Sequence, residues 1–191
     1  MEFVQPIRDK EKLAIMKKYL KGSNLRDYCL FVVGINSGLR ISDLLELKVM
    51  NVIDKDDKVR DRIHIREVKT NKYKDFPIST SAKKAIIEYL NTREYDLTDA
   101  LFLSQKNVNG SKSIQRQRAY KVINDAAKVA GIKEKVGTHT LRKTFAYHAY
   151  KSGISIEVIQ KLFNHSAPSI TLRYIGITQD TLDNVYLNLN L

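Results

Sequence analysis

A dense group of polar side chains near the C-terminal end of the sequence could carry out acid–base or nucleophilic chemistry. His139 and Arg142 are three positions apart, so on a helix they lie one turn apart on the same face. His165 follows Asn164, which is well suited to the left-handed conformation that ends a helix, and the pattern therefore presents His165 on a tight turn. Tyr174 comes nine residues after His165. A short stretch thus offers an acid/base group, a fixed cation and a hydroxyl nucleophile.

Two cations elsewhere in the chain complete a set that suits phosphoryl transfer. Arg40 follows a Gly38 turn at the start of a predicted helix, where the helix dipole disfavours a cation unless Asp43 or a bound phosphate pairs with it. Lys69 is expected at the tip of a hairpin, from which its side chain can swing. A plain surface arginine and a solvated basic hairpin are the alternative interpretations.

The chemistry that fits this set is covalent catalysis on a phosphodiester. Two guanidinium groups can bind the non-bridging oxygens and neutralise charge in the transition state, so this chemistry requires no metal ion or cofactor. A tyrosine ionises near pH ~10 and needs cations and a base close by to attack at neutral pH. A lysine can give a proton to the leaving oxygen.

The elements that position these residues are mostly helices. Asp9 and Asn24 predict the first two helices, ending at Gly22 and Gly38, and later helices are expected over 79–91 and about 113–130. Between them, the runs VMNVID, DRIHIREVK and KYKDFPIS predict a small three-stranded antiparallel sheet. The fold class is α+β, mainly α-helical.

The last helices are short because capping residues interrupt the chain. Thr138 is expected to cap the helix that carries His139, and Gly153 to end it. Ser155 is expected to cap the next helix and Ser166 a third one before Tyr174.

Composition favours a phosphate-bearing partner. The formal net charge is +12, and Lys and Arg are spread along the chain, which favours nucleic acid, with a solvated basic face as the alternative. The sole cysteine, Cys29, has helical apolar neighbours and is interpreted as core, so neither an internal disulfide nor a cysteine metal site is expected. Without an 18-residue apolar run or a signal-peptide pattern, we expect a cytoplasmic protein with no membrane partner.

Four segments resemble the catalytic domain of the tyrosine recombinase, or phage integrase, family. They are GLRISDLL from Gly38, the hairpin KTNKYKDFPI, HTLRKTFA from His139, and FNHSAPSITLRYI with its nine-residue His-to-Tyr interval. They occur in the family's order and cover essentially the entire chain. The sequence departs from the family in having Phe163-Asn164 in place of Leu-Gly and Asp43 in place of the frequent Glu.

The resemblance implies a site-specific DNA recombinase or integrase that works through a 3′-phosphotyrosyl intermediate without metal. It implies that Arg40 and Arg142 clamp the scissile phosphate and that His165 bonds a non-bridging oxygen. Lys69 would act as general acid toward the 5′-hydroxyl, and His139 would assist proton transfer. Tyr174 would form the covalent bond.

The resemblance also implies a domain organisation. Residues 1–191 would form a single catalytic domain without the family's N-terminal DNA-binding domain, and a fragment is favoured over a minimal protein. A tail helix over 177–191 would dock on a neighbouring subunit, giving a tetramer on double-stranded DNA and a monomer in isolation. Two alternatives are a type IB topoisomerase, which shares the covalent step, and a DNA-binding module without catalysis.

Overall fold

The computed structural model describes residues 4–104, 112–177 and 187–188. Its helices are α1 (Lys10–Ser23), α2 (Leu25–Ser37), α3 (Ile41–Leu45), α4 (Thr80–Leu90), α5 (Arg116–Val129), α6 (Thr140–Lys151), α7 (Ile156–Phe163) and α8 (Pro168–Ile175). The strands β1 (Arg62–Arg66) and β2 (Tyr73–Pro77) pair antiparallel, with Ile63 opposite Phe76. The mainly helical α+β class is confirmed.

Local capping fixes where the first helices begin. The Asp9 side chain accepts the backbone N–H groups of Glu11 and Lys12 at the start of α1. Asn24 ends α1 and caps α2, since its side chain accepts the N–H of Asp27. These bonds satisfy donors that a helix leaves unpaired, which is why the sequence located these starts correctly.

The expected third strand is wrong within the described residues. Residues Val49–Asn51 form a 3-10 turn instead, and the segment contributes one isolated bridge between Ile53 and Val59. The Asn51 side chain accepts the N–H of Lys48 at 2.8 Å, a local bond that competes with pairing along a strand. The apolar run is nevertheless buried, because Val49 and Val52 lie three positions apart, as a helical turn requires, and both face the core.

Two apolar clusters of very different size hold the described parts of the chain together. The large core joins α1 to α5 with the sheet, and Phe31, Phe102 and Leu44 are among its fully buried side chains. A small cluster of Ala146, Ile159, Phe163 and Ile175 joins α6, α7 and α8. The first cluster therefore anchors the Arg40 turn and the hairpin, and the second anchors the helices that follow His139.

The segment before α1 lies against α6 and reaches α8. The Ile7 N–H donates to the Thr144 hydroxyl at 2.9 Å, and Lys143 donates to the Val4 carbonyl at 2.8 Å. Arg8 Nη2 lies 3.4 Å from the carbonyl oxygen of Gly176, which ends α8.

None of the helices in the described ranges is long and apolar enough to cross a membrane. The expected tail helix falls largely on 178–186 and 189–191, which lie outside the described residues.

Candidate active site

Gly38 sets the turn that presents Arg40. It has φ 61° and ψ 18°, the left-handed conformation expected at the end of α2. A Cβ at this position would lie 2.8 Å from Phe145 Cδ1 and 2.9 Å from Phe163 Cε1, so the turn requires glycine for space as well as for conformation. Arg40 then takes the N-cap position of α3.

Two buried carboxylates face the Arg40 guanidinium. Nη1 lies 2.8 Å from Glu67 Oε1 and 3.9 Å from Asp43 Oδ2, and both carboxylate side chains have no exposed surface. The sequence indicated Asp43 as a partner but missed Glu67, because Glu67 follows β1, far along the chain. Burial alone would raise the pKa of Glu67, but the hydrogen bond from Thr70 and the charge of Arg40 lower it overall.

Lys69 lies in the hairpin loop between β1 and β2, as expected, and its side chain is exposed. Its two neighbours are fixed to buried carboxylates. The Val68 N–H donates to Asp43 Oδ1 at 2.8 Å, and the Thr70 hydroxyl donates to Glu67 Oε2 at 2.6 Å. The loop backbone is thus held on both sides of Lys69, while the Lys69 side chain is exposed.

Lys74 is a second lysine of the hairpin, placed behind the first. Its side chain is 10% exposed, and its Nζ lies 4.0 Å from Glu67 Oε1. Burial, followed by the charge of Arg142, lowers the pKa of Lys74 to about 8. It does not line the groove described below, whereas Lys69 does.

His139 and Arg142 lie at the start of α6, one turn apart. His139 itself is the N-cap, so the expected Thr138 cap is wrong by one residue. The Gly137 N–H donates to the hydroxyl of Thr140, the first residue of α6. Desolvation in the groove lowers the pKa of His139, and the nearby cation of Arg116 lowers it further. The imidazole is therefore neutral at pH 7.

Arg142 is buried, with 1% exposure, and the hydrogen-bond acceptors of its guanidinium are neutral backbone carbonyls. Nη1 donates to the Gly38 carbonyl at 2.7 Å, and Nη2 donates to the Phe163 carbonyl at 2.9 Å. Cζ lies 3.9 Å from the centroid of the Phe163 ring. Burial and the charge of Arg40 lower the pKa of Arg142 to about 10, so it stays cationic at neutral pH.

His165 follows Asn164, which has φ 53° and ψ 38° at the end of α7, as the sequence indicated. Its Nδ1 lies 3.0 Å from the hydroxyl of the buried Thr171, a partner that the sequence did not reveal. Burial lowers the pKa of His165 to about 4, helped by the cations of Arg142 and Arg40. This ring is also neutral at pH 7.

Tyr174 lies in the last turn of α8, whose N-cap is Ala167 where Ser166 had been expected. Its ring centroid is 4.7 Å from that of His165 and 5.9 Å from Arg142 Cζ. Pro168 occupies the first turn of α8, and Gly176 ends the helix in the left-handed conformation. Tyr174 therefore sits beside both neutral histidine and buried cation, on a regular helix.

These residues meet at an open groove of about 970 Å³. Arg40, Lys69, His139 and Tyr174 line it, and Arg142 and His165 lie behind Tyr174. Arg116 adds a further cation to the wall. The described parts of the chain contain no group of three or more His, Cys, Asp or Glu side chains placed to hold a metal ion.

Residues 6–180 match the model of the phage integrase family. A probable integrase/recombinase, YoeC of Bacillus subtilis (strain 168), is 46% identical over 186 residues, which cover 97% of each chain. Among solved structures, XerA recombinase superposes with a TM-score of 0.73 at 24% identity, over 98% of this chain and 65% of XerA. XerH site-specific recombinase bound to its difH substrate gives 0.72 at 20% identity, over 97% of this chain and 55% of XerH.

Proposed function

This chain belongs to the phage integrase family of tyrosine recombinases, and from that premise we propose that it breaks and rejoins DNA through a covalent bond to Tyr174. The observation that carries the proposal is the position of Tyr174. Its ring lies against His165 and near Arg142, on the wall of a groove that Arg40, Lys69 and His139 share.

The arginines would bind the scissile phosphate. Arg40 is 16% exposed at the groove, and its guanidinium has donors beyond the one that faces Glu67. Arg142 donates to two backbone carbonyls and keeps Nε, which is buried without a hydrogen-bond partner among the described residues. Because Arg142 is buried behind Tyr174, we propose that His165 and Tyr174 shift when a phosphate oxygen enters.

The Tyr174 hydroxyl would be the nucleophile. Its oxygen attacks phosphorus and forms the phosphotyrosyl bond while the bond to the 5′-oxygen breaks. The tyrosine proton passes to His139, whose lowered pKa keeps it neutral and able to accept a proton at pH 7. His165, neutral for the same reason, donates a hydrogen bond to a non-bridging oxygen.

Lys69 would give the departing 5′-oxygen its proton. Its exposed side chain lines the groove, so it can reach a bound backbone. Lys74 is the rival because its pKa of about 8 suits proton transfer near neutral pH. Its burial beside Glu67 argues for a fixed cation behind the site instead.

Double-stranded DNA is the proposed partner, and we propose a cytoplasmic location. The formal net charge of +12 supports it, and so do Arg116 and Lys48 on the groove wall. The XerH recombinase was solved bound to its difH substrate. The roles of the individual residues, the single catalytic domain and the absence of a metal requirement belong to the same proposal.

We also propose that four subunits assemble on DNA and that the tail over 177–191 of one subunit docks on the next. Leu182, Val185 and Leu189 have the spacing of an apolar helix face. On α7, Val158 and Leu162 are 50% and 43% exposed and supply an apolar surface for such a tail. Deleting residues 178–191 should reduce the mass of the protein–DNA complex without unfolding the domain.

A covalent-adduct assay tests the proposed function. Target duplexes are first selected from a random pool by binding, then nicked so that cleavage traps the covalent product. In excess chelator the wild type should form a 3′-phosphotyrosyl adduct, which denaturing electrophoresis detects, and Tyr174→Phe should form none. Tyr150→Phe, which alters an exposed tyrosine on α6, is the matched control and should behave as wild type. An adduct that requires magnesium or survives Tyr174→Phe would overturn the proposal.

A further inference from the structure

Glu67 is a buried carboxylate to which the proposed reaction assigns no step. It is 1% exposed and follows β1, at the base of the loop that carries Lys69. A buried carboxylate is costly unless charges and hydrogen bonds satisfy it, so its contacts indicate what it holds in place. Those contacts divide between its two oxygens.

One oxygen faces the phosphate-binding cation. Glu67 Oε1 lies 2.8 Å from Arg40 Nη1, with Lys74 Nζ at 4.0 Å. A close, buried ion pair restricts the rotation of a guanidinium more than solvent does. The carboxylate therefore limits the directions in which Arg40 can present its remaining donors to the groove.

The other oxygen faces the loop. Glu67 Oε2 accepts the Thr70 hydroxyl at 2.6 Å. The backbone closes around the same residue, since the Glu67 N–H donates to the Lys72 carbonyl and the Asn71 N–H donates to the Glu67 carbonyl. Lys69 thus lies within a loop that the Glu67 side chain and backbone both hold.

We propose that Glu67 is a positioning residue that ties two parts of the site together, orienting Arg40 with one oxygen and the Lys69 loop with the other. The inference rests on the proposed function, because Arg40 and Lys69 matter here as the phosphate-binding and proton-donating groups. Asp43 assists, since it accepts the Val68 N–H and lies 3.9 Å from Arg40. Glu67 differs from Asp43 in contacting a side chain on each part.

Glu67→Gln removes the negative charge of this side chain at nearly constant volume. A carboxylate accepts with both oxygens, whereas an amide has one acceptor and one donor group. With its oxygen toward Arg40, the amide can still donate its NH₂ group to the Thr70 hydroxyl, so the loop contact is kept while the ion pair with Arg40 is lost. Thr70→Val removes the loop contact alone and leaves the carboxylate with Arg40.

The experiment measures single-turnover cleavage of two matched substrates, one with the normal 5′-oxygen leaving group and one with sulfur in its place. A thiolate departs without a proton, so the sulfur substrate removes the need for Lys69. Asp75→Asn is the control, because Asp75 is an exposed hairpin carboxylate paired with Arg62. Thermal unfolding of each variant reports whether the domain remains folded.

We expect Thr70→Val to slow cleavage about tenfold and sulfur to restore the rate, since the loss of one hydrogen bond corresponds to roughly that factor. Glu67→Gln should slow cleavage about a hundredfold, and sulfur should restore little of the rate, because the defect lies at Arg40. Asp75→Asn should cleave both substrates at the wild-type rate.

Each contrary outcome overturns a defined part. Wild-type cleavage by both Glu67→Gln and Thr70→Val would overturn the positioning role while leaving the proposed function intact. A Glu67→Gln defect that sulfur restores fully would overturn the Arg40 half, and a Thr70→Val rate equal to wild type would overturn the loop half. If Glu67→Gln unfolds, Thr70→Val decides the loop half. A wild type that forms no adduct would overturn the proposed function itself.

Discussion

Two regions of the site hold their cations by different means. One is the hairpin region, which comprises Arg40 and residues 67–74, and the other is the α6–α8 region. Arg40 faces the carboxylates of Glu67 and Asp43, so opposite charge offsets its burial. Arg142 donates to the carbonyls of Gly38 and Phe163 and lies over an aromatic ring, all of which are neutral groups. An ion pair fixes a cation but cancels much of its electric field. Neutral carbonyl groups also fix a cation, but they leave its positive charge without a bonded counter-charge.

The difference assigns separate tasks to the two regions. In the proposed mechanism, a cation held by neutral hydrogen-bond partners next to Tyr174 in the α6–α8 region would favour the negative charge that develops on phosphorus and on the nucleophile. In the hairpin region, a balanced set of charges would hold the loop still, so that an exposed lysine could meet the leaving oxygen. Substitutions in the two regions should therefore respond differently to a change of leaving group.

The largest expected contrast is at Lys69. Lys69→Ala should slow cleavage by about 10²–10⁴ because general acid catalysis contributes that much, while DNA binding stays near wild type. The sulfur leaving group should restore most of the rate. Lys74→Ala is the matched control from the same hairpin, and single-turnover rates on both substrates are the measurement. If sulfur rescues Lys74→Ala and not Lys69→Ala, the acid is Lys74.

Arg142→Ala should slow cleavage by about 10²–10³, the loss typical of one electrostatic donor at a transition state. The sulfur substrate should give no recovery, because the missing group acts on the non-bridging oxygens. The same rate assay makes the comparison with Lys69→Ala direct. Recovery with sulfur would mean that the two regions do not divide the work as stated.

A smaller effect is expected at Thr171. Its hydroxyl lies 3.0 Å from His165 Nδ1, and by donating there it would keep the proton on Nε2, which can then donate to phosphate. Thr171→Val removes that donor at similar size and should slow cleavage about tenfold, without sulfur rescue. NMR of the imidazole nitrogens should show a change of tautomer. An unchanged spectrum and rate would contradict this role.

The smallest effect concerns stability against pH. The pKa of His165 is lowered from 6.5 to about 4 in the folded state. As the pH falls from 6.5 toward 4, the unfolded state therefore takes up a proton that the folded state does not, and the free energy of unfolding decreases. The lowered pKa of Glu67 acts later, since its contribution is lost only as pH falls below 4.5. Urea unfolding between pH 7 and 4 should show His165→Gln losing less stability than wild type, by about 1 kcal/mol. Equal losses would contradict the assignment.

Helix-capping residues made much of the fold predictable from the sequence. Asn24, Ser155 and Asn164 each cap or end a helix through bonds or dihedrals that depend on the residue itself, and the structure agrees at all three. Thr138 and Ser166 were each one residue too early as caps, because any nearby polar residue satisfies the same pattern. The strand expected from Val49 failed because the buried Val49 and Val52 have the three-residue spacing of a helical turn, which does not fit the alternation of a strand.

The partners of the candidate site were harder to foresee. The Arg40–Glu67 pair and the His165–Thr171 contact depend on how elements pack, and no short motif encodes them. Asp43 could be named in advance because it lies one helical turn from Arg40. The burial of Arg142 and Lys74 likewise follows from the approach of α8 and the hairpin, which the sequence pattern does not report.

Gly38 links the two regions. Its left-handed backbone begins the turn to Arg40, its carbonyl accepts the Arg142 guanidinium, and its missing side chain makes room for Phe145 and Phe163. Any other residue there would strain the turn that leads to Arg40 and would also displace the rings of Phe145 and Phe163. Evolution can therefore change the residues around either arginine one at a time. A substitution at position 38, in contrast, requires compensating substitutions in both regions at once, so we expect this position to tolerate the fewest changes.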